Sequence, residues 1–256
     1  MTAKRPIAIV SAMHDELSHL LALMPDEHKQ THGRRDFWVG HLHGYELVLV
    51  LSGIGKVAAA TTASLLIERF KVSQIVFTGV AGGLGKNVNV GDLVLADSFL
   101  QHDLDVSPLF PKYEVPSYGI STFQSNTELA DELKQACIAV LDDLAAVLTI
   151  DAINTFNLAN PKLHQGLLIS GDRFVSTTAE SQKLQQDLPQ ALAVEMESAA
   201  FAQVCHDYGV PFAAVRTISD RADDDASVDF NRFLSQVASH YSASIVDKWL
   251  SQRRAD

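Results

Sequence analysis

The chain has 256 residues, 47% of them hydrophobic, with 31 acidic against 20 basic side chains and a formal net charge of −11. That length and apolar share suffice for one large core, and residues 1–256 are read as a single domain. The acidic balance argues against a nucleic-acid surface or an anionic membrane as partner, but leaves room for a small ligand.

The start, "MTAKRPIAIVSAMHDEL", is basic, but its apolar run stops at His14 and Asp15, too short for a signal peptide, and no stretch approaches a membrane span. "IAIV" reads as a strand with Glu16 just beyond it, and "ELVLVL" as a second, followed by Gly53 to Lys56 and the helical pattern "KVAAATTASLLIERF". This is not a phosphate loop, because the GxxxxGK[ST] spacing is missing and Val57 follows the lysine. "QIVFTGV" leads into Val80 to Gly83, and "GDLVLAD" into an irregular stretch, 102–123, with three prolines. Its Leu104, Val106, Leu109, Phe110, Tyr113, Val115 and Tyr118 suit an interface loop, and a homodimer is expected. His102 and Asp103 read as polar loop residues. No His/Cys cluster has metal spacing, so neither metal nor cofactor is expected.

"NTELADELKQACIAVLDDLAAVL" carries helical spacing, and the segment 143–165 has no functional reading. "GLLISG" precedes Asp172 to Val175, and "LAVEM" precedes Glu197 and the helix "SAAFAQVCHDYG", which stops at Gly209 with Pro211 beyond. "FAAVRTIS" ends at Asp220. The acids Asp223 to Asp225 lack the glycine and distal glutamate of a calcium loop and read as a solvated turn. The last helix is "FNRFLSQVASHYSASIVDKWL". Cys137 and Cys205 are far apart with no CxxC pair, which suits reduced thiols in the cytoplasm.

Strands alternating with helices imply an α/β domain, with a mixed, mostly parallel central sheet flanked by helices. Ligands of such sheets gather beyond the carboxyl ends of the strands. Glu16, Glu197 and Asp220 each fall at a strand end beside apolar residues. Any one could be a helix cap, whereas a shared site accounts for all three. Glu195 is either a ligand contact or a buried structural hydrogen-bonder, and the second reading is preferred.

The segments "AIVSAMHDEL", "SGIGKVAAA", "TGVAGGL", "VGDLVLAD", "SGDRFV", "VEMESAA" and "RTISD" occur in the order seen in the nucleoside phosphorylase/nucleosidase superfamily. Together they resemble the 5′-methylthioadenosine/S-adenosylhomocysteine nucleosidases, from about residue 7 to 235 and most weakly over 104–165. The resemblance implies hydrolysis of an N-glycosidic bond, releasing adenine and a 5-thioribose product in methionine salvage and the methyl cycle. It makes Glu16 the base that activates water, Asp220 the acid that protonates adenine at N7, and Glu197 the acceptor of the ribose hydroxyls above Met196. Phe174 and Val175 would form the adenine slot, and Gly82 would let backbone approach the ligand. Met13, Ile54, Phe174, Met196 and Phe230 would wall the 5′ substituent, with Phe230 able to act as a lid, and a partner chain would complete this wall through the loop, Phe110 and Tyr113 being candidates.

Val80 stands where some relatives carry a hydroxyl, and Phe77 where related phosphorylases place a phosphate-binding arginine. Arg173 and Arg216 remain possible phosphate donors, so a phosphorylase of the same superfamily stays as an alternative. So do a nucleosidase for another 5′-substituted adenosine, such as aminodeoxyfutalosine, and a non-catalytic nucleoside-binding protein.

Overall fold

The computed structural model describes residues 5–223 and 230–253. Strand β1 (Ile7–Ser11) leads into helix α1 (His14–Ala22), then an antiparallel run of β2 (His28–His32), β3 (Arg35–Leu42) and β4 (Tyr45–Leu51), and helix α2 (Lys56–Glu68). β5 (Gln74–Gly83), β6 (Leu93–Gln101) and the short β7 (Thr122–Gln124) precede α3 (Thr127–Asp142), α4 (Leu144–Val147) and α5 (Ile150–Thr155). β8 (Leu163–Ser170), α6 (Thr178–Asp187), β9 (Ala191–Glu195), α7 (Ser198–Tyr208) and β10 (Phe212–Asp220) follow. The chain ends in α8 (Phe230–Phe233), a π turn over Leu234–Ala238, and α9 (Ser239–Gln252).

The strands lie in the order β10-β6-β8-β9-β5-β1-β4-β3-β2, and β10 also pairs with β5, closing five strands into a small barrel. The expected mixed sheet is present, with a larger antiparallel share than the sequence suggested: β10 runs against β6, and β5 against β9. In β1, Ile7 and Ile9 face the core under α1, α3 and α9, whereas Ala8 and Val10 face the core under α2 and α7. β4 divides likewise, with Leu47 and Leu49 on one side and Val48 and Val50 on the other. Strands covered on both faces read as continuous apolar runs, which is why these were visible in the sequence.

One pairing places the site. β5 and β9 are antiparallel but meet only through their last residues, Gly82 with Val194 and Gly83 with Ala193. The carboxyl ends of both sets of parallel strands therefore converge, bringing the segments after β1, β5, β9 and β10 to one end of the barrel.

Two expectations are corrected here. The helix after residue 126 is not continuous: α3 ends at Asp142, and Asp143, with a non-helical φ of −123° and ψ of 49°, breaks the register before α4. The 102–123 loop is not wholly exposed. Val115 is buried, Leu104 packs on the α2/α7 core, and Tyr113 packs on a third apolar cluster that includes Val175. Leu109 carries the exposure, at 80%, while Phe110 is half-buried. Asp224 and Asp225 lie outside the described residues.

Candidate active site

At the converging strand ends lies a cavity of about 200 Å³ that opens to solvent. Met13, Ile54, Gly82, Phe174, Val175, Met196, Glu197, Asp220 and Phe230 all line it. Of the expected catalytic and substrate-binding residues, Glu16 alone is outside this lining, and it is fully buried. Ala12, Val80, Ala81 and Val194 add apolar wall.

Glu16 is both a first-turn acid and a site residue. It is the third residue of α1, and its Oε2 accepts from the Met13 amide at 3.2 Å. Its Oε1 has no hydrogen-bond partner. Burial pushes its pKa up to about 7, against the pull of the nearby Arg216 charge. Glu197 precedes α7 but does not cap it. Its Oε1 instead accepts from the buried Gly55 amide at 2.9 Å. Gly55 has φ = 90°, which only glycine adopts freely, and a Cβ there would stand 2.9 Å from Asp172 Oδ1. Burial and then the negative charge of Glu195 push the Glu197 pKa up to about 7. Asp220 ends β10, accepting from Ser219 Oγ at 2.8 Å and from the Ala222 amide at 2.8 Å. Burial raises its pKa, and these two hydrogen bonds hold it back. Gly82 lies against this carboxylate: a Cβ there would stand 3.0 Å from Asp220 Oδ1.

The sequence did not reveal what supports these acids. Arg216, 1% exposed in the middle of β10, donates from Nη2 to Glu195 Oε2 at 2.6 Å and to Ser198 Oγ at 2.8 Å. Glu195 also accepts from Ser170 Oγ, the Ser198 hydroxyl and the Glu197 and Ser198 amides. It is thus a buried hydrogen-bonder, and it also lies on the cavity lining. The guanidinium stacks 3.9 Å from the centroid of Phe77, the residue at the phosphorylase arginine's place. Arg216 Nη1 and Nε lack hydrogen-bond partners. A Cβ at Gly79 would collide with that Nη1 and stand 3.7 Å from Glu16 Oε1, so the unpaired donor and the unpaired acceptor face the same small space. One signal for this was legible: an arginine inside the apolar run "FAAVRTIS" needs a buried acid, and "LAVE" holds one.

Arg173 also lines the cavity and pairs with Glu180, with its side chain 75% exposed. Lys56, at the start of α2, meets Asp103 through its Nζ at 2.5 Å, and its amide donates to Asp172 Oδ1 at 2.7 Å. Among the described residues no group of three or more His, Cys, Asp or Glu is disposed to hold a metal ion.

Comparison with known proteins decides the family. The model of the phosphorylase superfamily matches residues 6–251. A 5′-methylthioadenosine/S-adenosylhomocysteine nucleosidase from Shewanella loihica is 34% identical over 94% of this chain and 96% of its own. The chain belongs to the nucleosidases of the phosphorylase superfamily. Among solved structures, the 5′-methylthioadenosine/S-adenosylhomocysteine nucleosidase of Neisseria meningitidis, in complex with methylthio-immucillin-A, aligns with this nucleosidase at a TM-score of 0.83 and 34% identity. That alignment covers 97% of this chain and all of the other. The futalosine hydrolase of Helicobacter pylori aligns at 0.82 and 30% identity, covering 97% and 98%. No helix among the described residues is long and apolar enough to cross a membrane.

Proposed function

We infer that the chain hydrolyses the N-glycosidic bond of 5′-methylthioadenosine and S-adenosylhomocysteine, releasing adenine and the 5-thioribose product. The observation that carries this reading is the assembly of Glu16, Glu197 and Asp220 around one apolar cavity, in a chain of the nucleosidase family. Cleaving the bond leaves an oxocarbenium-like sugar, and purine departs readily only when protonated. Asp220 gives its proton to adenine N7, and burial, which raises its pKa, favours the protonated form. As the C1′–N9 bond breaks, a water oxygen bonds C1′ and its proton passes to Glu16. With a pKa of about 7, Glu16 is poised to take that proton near neutrality. Its unpaired Oε1, beside the unpaired Arg216 Nη1, supports a role for both in orienting the water. Glu197 accepts from the ribose diol and balances the cationic sugar.

Charge favours water over phosphate. Arg216 is engaged by Glu195 and further offset by Glu16 and Glu197, so an entering phosphate dianion would meet net negative charge. Arg173 lines the cavity but is already paired with Glu180. Met13, Ile54, Met196 and Phe230 offer an apolar wall for the thioether, and Phe174 with Val175 a slot for the purine. The likeness to a futalosine hydrolase supports testing an aminodeoxyfutalosine-type nucleoside as a second substrate.

The enzyme works as a homodimer whose second copy closes the cavity mouth. Exposed Ile54, Val57, Leu109 and Phe174, at 65%, 78%, 80% and 50%, support this reading. The buried, unpaired thiols Cys137 and Cys205 suit a cytoplasmic setting. The test is adenine release from both thioethers, with and without phosphate. Turnover on both is expected, independent of phosphate, with losses of about a hundredfold or more in Asp220→Asn, Glu197→Gln and Glu16→Ala. No release from either nucleoside, or near-native turnover in all three variants, would contradict the assignment.

A further inference from the structure

Phe230 lines the cavity and opens α8, a helix of one turn followed at once by a π turn. A single hydrogen-bonded turn does not hold its own position, because nucleation costs more than one bond returns. What steadies it comes from 149–158, part of the segment that had no functional reading. Phe156 meets the buried Phe233 edge-on, with ring centroids 5.2 Å apart and planes at 88°. Arg232, between Phe230 and Phe233, donates to Thr155 Oγ1 at 3.4 Å. Its guanidinium lies 5.9 Å from the Phe156 ring centre and 3.9 Å from Asp151 Oδ2. The same segment is anchored at its other end. Leu158 is buried and fills the space where Gly91 has no side chain. Gly91 in turn donates its amide to the Ile218 carbonyl at 2.8 Å, two residues before Asp220.

We propose that Phe156 is a positioning residue: through Phe233 it fixes the turn that presents Phe230 to the cavity, and so sets how firmly the wall grips the 5′ substituent. This rests on the reading of that wall as a thioether site. The segment is then a brace between the 5′ wall and the strand end that carries Asp220.

The experiment uses the full chain with Phe156→Ala, Phe156→Tyr and Arg232→Ala. Each is assayed for kcat and KM on 5′-methylthioadenosine and on adenosine, which carries a hydroxyl at the same position. Phe156→Ala should lower the preference for the thioether by about threefold to tenfold, a fraction of the discrimination an apolar pocket gives, through KM rather than kcat. Phe156→Tyr, which keeps the edge-on ring, should restore the preference. Arg232→Ala, at an exposed position, should shift it the same way by about twofold. Independently of turnover, amide exchange in peptides spanning Phe230 to Phe233 should quicken in Phe156→Ala. A parallel loss on both nucleosides, or unchanged preference in both alanine variants, overturns the proposal, as does unchanged exchange. Failure of the functional reading itself would show separately, as no adenine release by the native chain.

Discussion

Burial raises the pKa of Glu16 and Glu197, and the one buried guanidinium near them, Arg216, which Glu195 already engages, only partly offsets it. Glu16 has a folded pKa of about 7 against 4.5 for the free side chain. Between those values the folded chain keeps a proton that the unfolded chain releases. The stabilising effect of this group is therefore fully present below pH 4.5 and is lost as pH rises through 7. Glu16→Gln, which stays neutral and can still accept from the Met13 amide, should be more stable than the native chain at pH 8, by up to ~3 kcal/mol. The gain should shrink toward pH 5. Urea unfolding at pH 5, 6.5 and 8 measures it, and a difference that does not change with pH would show that Glu16 is not a strained, ionised acid at pH 8. Asp220 was legible as a site residue because an acid ending an apolar strand is conspicuous. Its partners were not: the Ser219 hydroxyl and the Ala222 amide reach it through local backbone geometry that side-chain pattern does not encode.

Between elements, the link that matters is the ion pair joining β9 to β10. Glu195 and Arg216 are 3% and 1% exposed, and Glu195 also collects the start of α7 through the Ser198 amide at 2.9 Å. Removing one partner of such a pair leaves a buried charge uncompensated. Glu195→Ala should destabilise the fold by about 3–5 kcal/mol. It should also lower turnover, since Arg216 would then swing toward Glu16 and Glu197. Denaturant unfolding together with kcat checks both, and a loss under ~1 kcal/mol would show that the pair is dispensable. The other elements divide by how their sequences are buried. β1, β4, β5 and β10 were readable because both faces are covered. β2 and β3 were missed: "HKQTH" is polar, and its order comes from pairing with β3 rather than from its own pattern. A turn signal did exist, since His43 and Gly44 have φ of 51° and 80°, as a two-residue hairpin between β3 and β4 demands. The brace formed by α5 was illegible for another reason. Phe156 and Phe233 are 77 positions apart, and nothing in either helix's spacing points to the other.

For the molecule as a whole, the proposed dimer would cover the exposed apolar residues of α2's start and the 102–123 loop. Lys56, Asp103 and Asp172 bind the start of α2, the 102–123 loop and the segment before Phe174 into one rim. Exposed Ile54, Val57 and Leu109 belong to α2's approach, its first turn and that loop. A second copy related by two-fold symmetry covers such a patch on both chains at once. Light scattering should give twice the chain mass of 27.9 kDa, and Leu109→Asp should shift it toward one chain while lowering activity. A native mass of one chain with full activity would leave the rim without a partner. The central claim, that three acids turn this cavity into a hydrolytic one, rests finally on which oxygen reaches the sugar. The most direct measurement is mass spectrometry of the sugar product after turnover of 5′-methylthioadenosine in ¹⁸O-labelled water with phosphate present. The account predicts free methylthioribose carrying one ¹⁸O from water; a methylthioribose 1-phosphate, or a sugar without the label, would contradict it.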